Sequence, residues 1–253
     1  MTRYRVAVVA LALLSAGCLG LDFGGTQSQT GVSALPPGVD NGSLNATALV
    51  AAHERSLAGV AVTVETSQSE WTTDAGGNET RRTRAVTGGN GTHWRRTVTD
   101  AGAGQSSVEY WSDGTDSVRY GGETVETVST DAATTPAERY RTTNLSTWLA
   151  TGEYELAAVE SGSPTRYVLT ATTYTPPDGE PLEADTVRYE ATAVVTASGR
   201  VTAMSATLVT IETNRWGRHV RSQSYGYRVA RAGGVTPPRP DWLPDGVAEG
   251  DDG

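Results

Sequence analysis

Along most of the chain apolar and polar residues alternate one for one, and two stretches break that rhythm. In the first, Leu44, Ala48, Leu49, Ala52 and Leu57 fall on one side of a 3.6-residue wheel. Asn41 and Ser43 precede them as candidate caps and Gly59 follows, so a helix is predicted over Leu44–Ala58. The second break starts at Pro136 and runs toward Ala150, with Leu145, Trp148 and Leu149 on its apolar face and Gly152 as its stop. Elsewhere the period is two, the signature of half-buried strands. Val60, Val62 and Val64 alternate with Ala61, Thr63 and Glu65. Further strands are predicted at Glu79–Val86, Thr92–Asp100, Ser107–Ser112, Asp116–Tyr120 and Thr124–Ser129. After the second helix they resume at Tyr154–Glu160, Arg166–Tyr174, Thr186–Thr196, Arg200–Glu212 and His219–Arg231.

The punctuation supports hairpins. Ser198-Gly199 sits between two alternating runs as a tight turn, and Pro176-Pro177-Asp178-Gly179 marks a longer one. Low hydrophobicity with high net charge can also mean disorder. A disordered chain, however, does not hold Val, Tyr, Trp and Thr in register over so many segments. The order helix, strands, helix, strands predicts an α+β fold: a single curved antiparallel sheet, a half-barrel, with helices covering one face.

The beginning of the chain reads as a targeting signal rather than part of that body. Arg3 and Arg5 precede an apolar run from Val6 to Leu14, then Ser15, Ala16, Gly17 and Cys18. The run is shorter than the roughly 20 residues needed to span a bilayer. Cys18 is the one cysteine of the chain, and its place after small residues resembles the lipidation box of exported lipoproteins, although Ser15 stands where leucine is usual. Two readings follow. Cys18 becomes a lipidated N-terminus that holds the protein on the membrane facing the exterior, or Ser15 and Gly17 serve ordinary signal cleavage and the chain is secreted. The expected organisation is residues 1–17 as signal, 18–43 as lipidated start and flexible linker, 44–243 as the half-barrel, and 244–253 as an acidic tail.

Charge narrows the setting. The chain has 29 acidic and 20 basic residues, every basic one arginine, for a formal net charge of −9. That balance opposes nucleic-acid binding, which needs a basic stripe. In molar salt the Debye length falls to about 3 Å, so a strongly acidic surface repels itself little while its carboxylates hold water. The absence of lysine fits the same solvent, and the composition predicts a halophile's protein.

Candidate chemistry is sparse. Asn41, Asn45, Asn78, Asn90 and Asn144 head Asn-X-Ser/Thr sequons, which an exported chain could carry glycosylated. His53, His93 and His219 show no metal-ligand spacing, and neither metal nor cofactor is expected. With one phenylalanine in the chain, tryptophan and tyrosine must supply much of the core. Trp94, Trp111 and Trp148 could instead line a ligand cavity between sheet and helices. Arg81, Arg82, Arg84, Arg95 and Arg96 fall on two successive strands, either as a docking patch for an anionic polymer or lipid head or as partners for surrounding acids. No G-x-S-x-G, phosphate loop, H-E-x-x-H or dinucleotide fingerprint occurs in context, so no enzymatic activity is expected.

Three stretches carry a resemblance. They are the Cys18 region; Leu35-Pro36-Pro37-Gly38-Val39 leading into a helix with Ala52 and His53; and a closing strand near Pro237-Pro238 followed by Pro240-Asp241-Trp242. In these the chain resembles haloarchaeal surface lipoproteins similar to LolA/LppX-type lipoprotein carriers. The resemblance implies an antiparallel half-barrel whose mouth is plugged by helices, and an apolar cavity with no catalytic residues. The expected function is binding or carrying an apolar ligand or lipid, with the membrane as partner through the N-terminal lipid. The alternative is a structural or interaction module of the envelope with a solid core.

Overall fold

In the computed structural model, residues 35–40, 43–73, 78–102, 104–113, 117–121, 124–128, 135–176, 185–215 and 217–243 are described, all in one folded unit. Cys18, Asn41, the signal, the acidic tail and most of the Pro176–Gly179 turn lie outside them.

The chain enters through a short ribbon, β1 (Val39–Asp40) paired with β2 (Ser43–Leu44), and then forms α1 (Ala46–Leu57). Val39 is buried, so residues 35–40, expected in the linker, belong to the body. The cap of α1 is Asn45 rather than Asn41 or Ser43. Its Oδ1 accepts the Ala48 N–H at 2.9 Å, while its own N–H donates to the Gly38 carbonyl at 2.7 Å. The ribbon turns the chain at Gly38, whose φ is +82°, and so delays the helix by two residues.

A meander follows: β3 (Val62–Thr72), β4 (Asn78–Thr87), β5 (His93–Ala101), β6 (Gly104–Ser112), β7 (Ser117–Gly121) and β8 (Thr124–Val128). Two helices come next, α2 (Pro136–Tyr140) and α3 (Thr142–Ala150). A second meander then runs through β9 (Glu155–Glu160), β10 (Arg166–Ala171), β11 (Asp185–Thr196), β12 (Val201–Asn214) and β13 (Gly217–Ala232). Among the described residues every pairing is antiparallel, and β13 returns to β3, giving one open 11-stranded sheet in the order β8-β7-β6-β5-β4-β3-β13-β12-β11-β10-β9. It is the expected α+β architecture, a curved sheet that does not close.

The single helix expected from Pro136 to Ala150 is broken at Arg141, which adopts φ +56°. At 3.6 residues per turn, Tyr140 and Leu145 on one straight helix would point about 140° apart. The break lets both bury, and the Tyr140 hydroxyl reaches the Leu57 carbonyl at 3.1 Å. Leu49 and Leu57 of α1, with Leu145 and Leu149 of α3, pack on Val62, Val64, Leu169, Ala193, Met204 and Tyr227 of the sheet. The closing strand ends at Ala232, earlier than Pro237-Pro238. With both prolines unable to donate to a ladder, residues 233–243 leave the sheet, and Leu243 packs against Trp111.

Candidate functional site

Alternation along β3 sends Val62, Val64, Thr66, Gln68 and Glu70 to the helix side of the sheet. The register sets Val229 beside Val64, Tyr227 beside Thr66, Tyr225 beside Gln68 and Gln223 beside Glu70 on β13. On β4 it sets Arg81 beside Gln68 and Glu79 beside Glu70. Following the strands away from α1, this face therefore changes from apolar to polar. The helices cover the apolar half. Beyond them lies a hollow of about 500 Å³, bounded by Gln68, Glu70, Glu79, Arg81, Gln223 and the indole of Trp148.

Its two walls differ in chemistry. Trp148, from α3, stacks on Tyr225 with ring centroids 6.0 Å apart and planes 7° from parallel. The Tyr225 hydroxyl is buried without a hydrogen-bond partner among the described residues, and burial pushes its pKa up. Opposite, Arg221 grips Glu70 with two hydrogen bonds, Nε to Oε1 at 3.0 Å and an η nitrogen to Oε2 at 2.9 Å. That grip holds the Glu70 carboxyl below its usual range. The site can offer an apolar ring face, amide groups and a fixed carboxylate.

Directly beneath the helices, where the apolar cavity was expected, leucine and tyrosine side chains pack into one cluster. The three tryptophans do not meet. Trp148 borders the hollow, but Trp94 and Trp111 are cross-strand partners on the opposite face of the sheet, where they cluster with Trp242 and Leu243. Residue parity explains the split: His93, Arg95 and Tyr110 face the helices, so their odd and even neighbours Trp94 and Trp111 face away.

The buried histidines hold the fold together. His53 Nδ1 accepts the Val201 N–H at 3.1 Å, which leaves Nε2–H to donate to the Tyr227 hydroxyl at 2.7 Å; that hydroxyl donates to the Tyr140 carbonyl at 3.2 Å. His93 bonds Thr87 Oγ1 through Nδ1 at 3.0 Å. Burial first, then nearby arginines, lowers each pKa to about 3. Among the described residues no group of three His, Cys, Asp or Glu is placed to hold a metal ion.

Of the sequons, Asn45 caps α1, Asn78 opens β4 at the border of the hollow, and Asn90 lies exposed in the β4–β5 turn. Asn144 lies half-buried in α3. The arginine cluster divides by parity: Arg81 and Arg95 face the helices, and Arg82, Arg84 and Arg96 face outward. Composition and motifs missed Gln68, Glu70, Gln223 and Tyr225. Their signal was there in β3, where the inward positions turn polar after Val64.

No family model and no curated protein matches the chain. Among solved structures it is similar to LprF from Mycobacterium bovis, at 9% identity and a TM-score of 0.37 over 77% of this chain and 96% of that one. It is also similar to a LolA superfamily protein from Nitrosomonas europaea, at 11% and 0.30 over 79% and 100%. Lipoprotein LppX from Mycobacterium tuberculosis follows at 13% and 0.29, over 70% and 93%.

Proposed function

We propose that this chain is a non-enzymatic, lipid-anchored protein of a halophile's cell surface, which binds an amphipathic molecule in the hollow beside Trp148. The observation that carries the reading is the two-sided lining: the Trp148 indole, backed by Tyr225, faces a strip formed by Gln68, Glu70, Arg81 and Gln223. An apolar portion of about 100 Å² removed from water against the Trp148 ring would gain roughly 2.5 kcal/mol. Polar groups of the same ligand would meet the amides and charges opposite. A pure hydrocarbon would leave that strip desolvated and unpaired, which is costly. Anchoring rests on the resemblance of the stretch around Cys18 to a lipidation box.

Native mass spectrometry of protein from the native host tests both halves. A lipidated Cys18 and a co-purified amphiphile are expected. Trp148→Ala should weaken rebinding of that amphiphile about tenfold or more, and Cys18→Ser should move the protein out of the membrane fraction. A second reading, an envelope interaction module without cargo, is favoured by the filled space under the helices. Protein that carries no amphiphile, with Trp148→Ala changing nothing, would establish that reading instead.

A further inference from the structure

On the sheet face turned away from the helices, four arginines surround one groove in a chain whose net charge is −9. The groove, about 620 Å³, lies across β5, β4, β3 and β13 between Arg82, Arg84, Arg96 and Arg228, with Trp94 along it and Gly226 on its floor. Register puts Glu65 opposite Arg84 and Arg84 opposite Arg96. Glu65, however, pairs with Arg228 on its other side. Arg96 leans to Glu109 at 3.7 Å, and Arg82 bonds Asp100 at 2.9 Å. Arg84 is left with no ion pair among the described residues, facing a second guanidinium. Like charges directly opposite one another destabilise a sheet. In a protein with surplus acids, such a pair at the middle of a groove is an arrangement that an anionic ligand would complete.

The surroundings select the ligand. Guanidinium forks suit carboxylate or sulfate oxygens held bidentately. The Trp94 ring, half-buried beside them, offers a face for the apolar side of a sugar ring. A bilayer would need projecting apolar side chains, but the exposed large ones, Trp71, Val159 and Val187, lie outside the groove. An acidic peptide adding as a strand would need an unpaired edge, and β5, β4, β3 and β13 are all interior strands. Gly226 lies on the floor against Ser67, whose Oγ would be 2.6 Å from a Cβ placed there. We propose that this groove binds a segment of acidic polysaccharide, its acid groups taken by Arg84 and Arg96 and one sugar ring resting on Trp94. It is a second site, on the other face of the sheet from the hollow.

The test titrates the full chain with oligogalacturonate, using its methyl ester as the neutral counterpart, poly-glutamate and phosphatidylserine vesicles as other anions, all at one salt concentration. Expected are saturable binding of the free acid, loss of binding with the ester, and about tenfold weaker binding in Arg84→Gln and in Arg96→Gln. Arg188→Gln, which breaks the exposed Arg188–Glu190 pair on β11, should bind as the parent does. Near-ultraviolet circular dichroism confirms that each variant is folded, and either groove variant alone suffices. No binding, equal binding of poly-glutamate or vesicles, or equal weakening in Arg188→Gln would overturn the proposal.

Discussion

His53 shows how much one side chain can carry in this fold. It joins α1 to the start of β12 through Val201 and to β13 through Tyr227, so three distant segments converge on one neutral imidazole. Neutrality has a measurable consequence. His53 and His93 titrate near pH 3 when folded and near 6.5 when unfolded. The unfolded chain thus binds more protons between those values, and the stability they contribute is complete above pH 6.5 and drains away as pH falls toward 3. Each histidine gives a slope of about 1.4 kcal/mol per pH unit in that window, about 2.7 for the pair. Urea midpoints at pH 7.5, 6.5, 5.5 and 4.5 should therefore fall steeply below 6.5. A flat profile there would mean that the imidazoles are charged in the folded state.

At the scale of elements, the contact between α1 and the β11–β12 hairpin decides whether the helix stays on the sheet. Gly199 turns that hairpin at φ +83°, and a Cβ on it would lie 2.6 Å from the Ala52 Cβ on α1. Arg200, next in sequence, donates to the Ser56 carbonyl at 2.7 Å and so satisfies a helix C-terminal acceptor. Glycine is required here twice over, for its backbone and for its lack of bulk. Gly199→Ala should cost about 2 kcal/mol, which in a body of this size lowers Tm by about 4–8 °C. Thermal unfolding followed by circular dichroism measures it, and an unchanged Tm would show that helix and hairpin are not in close contact.

For the whole molecule, the solvent is part of the stability. Acidic residues outnumber basic ones by nine, and many of the arginines that offset them are spent in exposed ion pairs such as Arg221–Glu70 and Arg82–Asp100. Exposed pairs each contribute little. Lowering salt from molar to about 0.1 M lengthens the Debye length from about 3 to about 10 Å and brings more carboxylates into mutual repulsion. The chain should accordingly lose its far-ultraviolet signal on dialysis to low salt and regain it on return. Retention of the full signal at low salt would remove the halophilic reading of its composition.

Strand spans, the antiparallel meanders and the helical stretches were legible in the sequence because each is set by local periodicity: a period of two for β3 to β13, of 3.6 for α1 and α3. The same alternation put some of the five arginines on one exposed face, and register decides which. The caps and breaks were not, because Asn45 and Arg141 take their conformations from distant packing, the one from the ribbon at Gly38 and the other from the need to bury Tyr140 beside Leu145. Pattern alone grouped Trp94, Trp111 and Trp148 into one cavity. Which residues share a face depends on strand register and on where a helix lands, and neither is encoded within any single segment. Only the closure of β13 onto β3 sets Tyr225 under Trp148 and Gln223 beside Glu70, and so makes a hollow from residues about 150 positions apart in the chain.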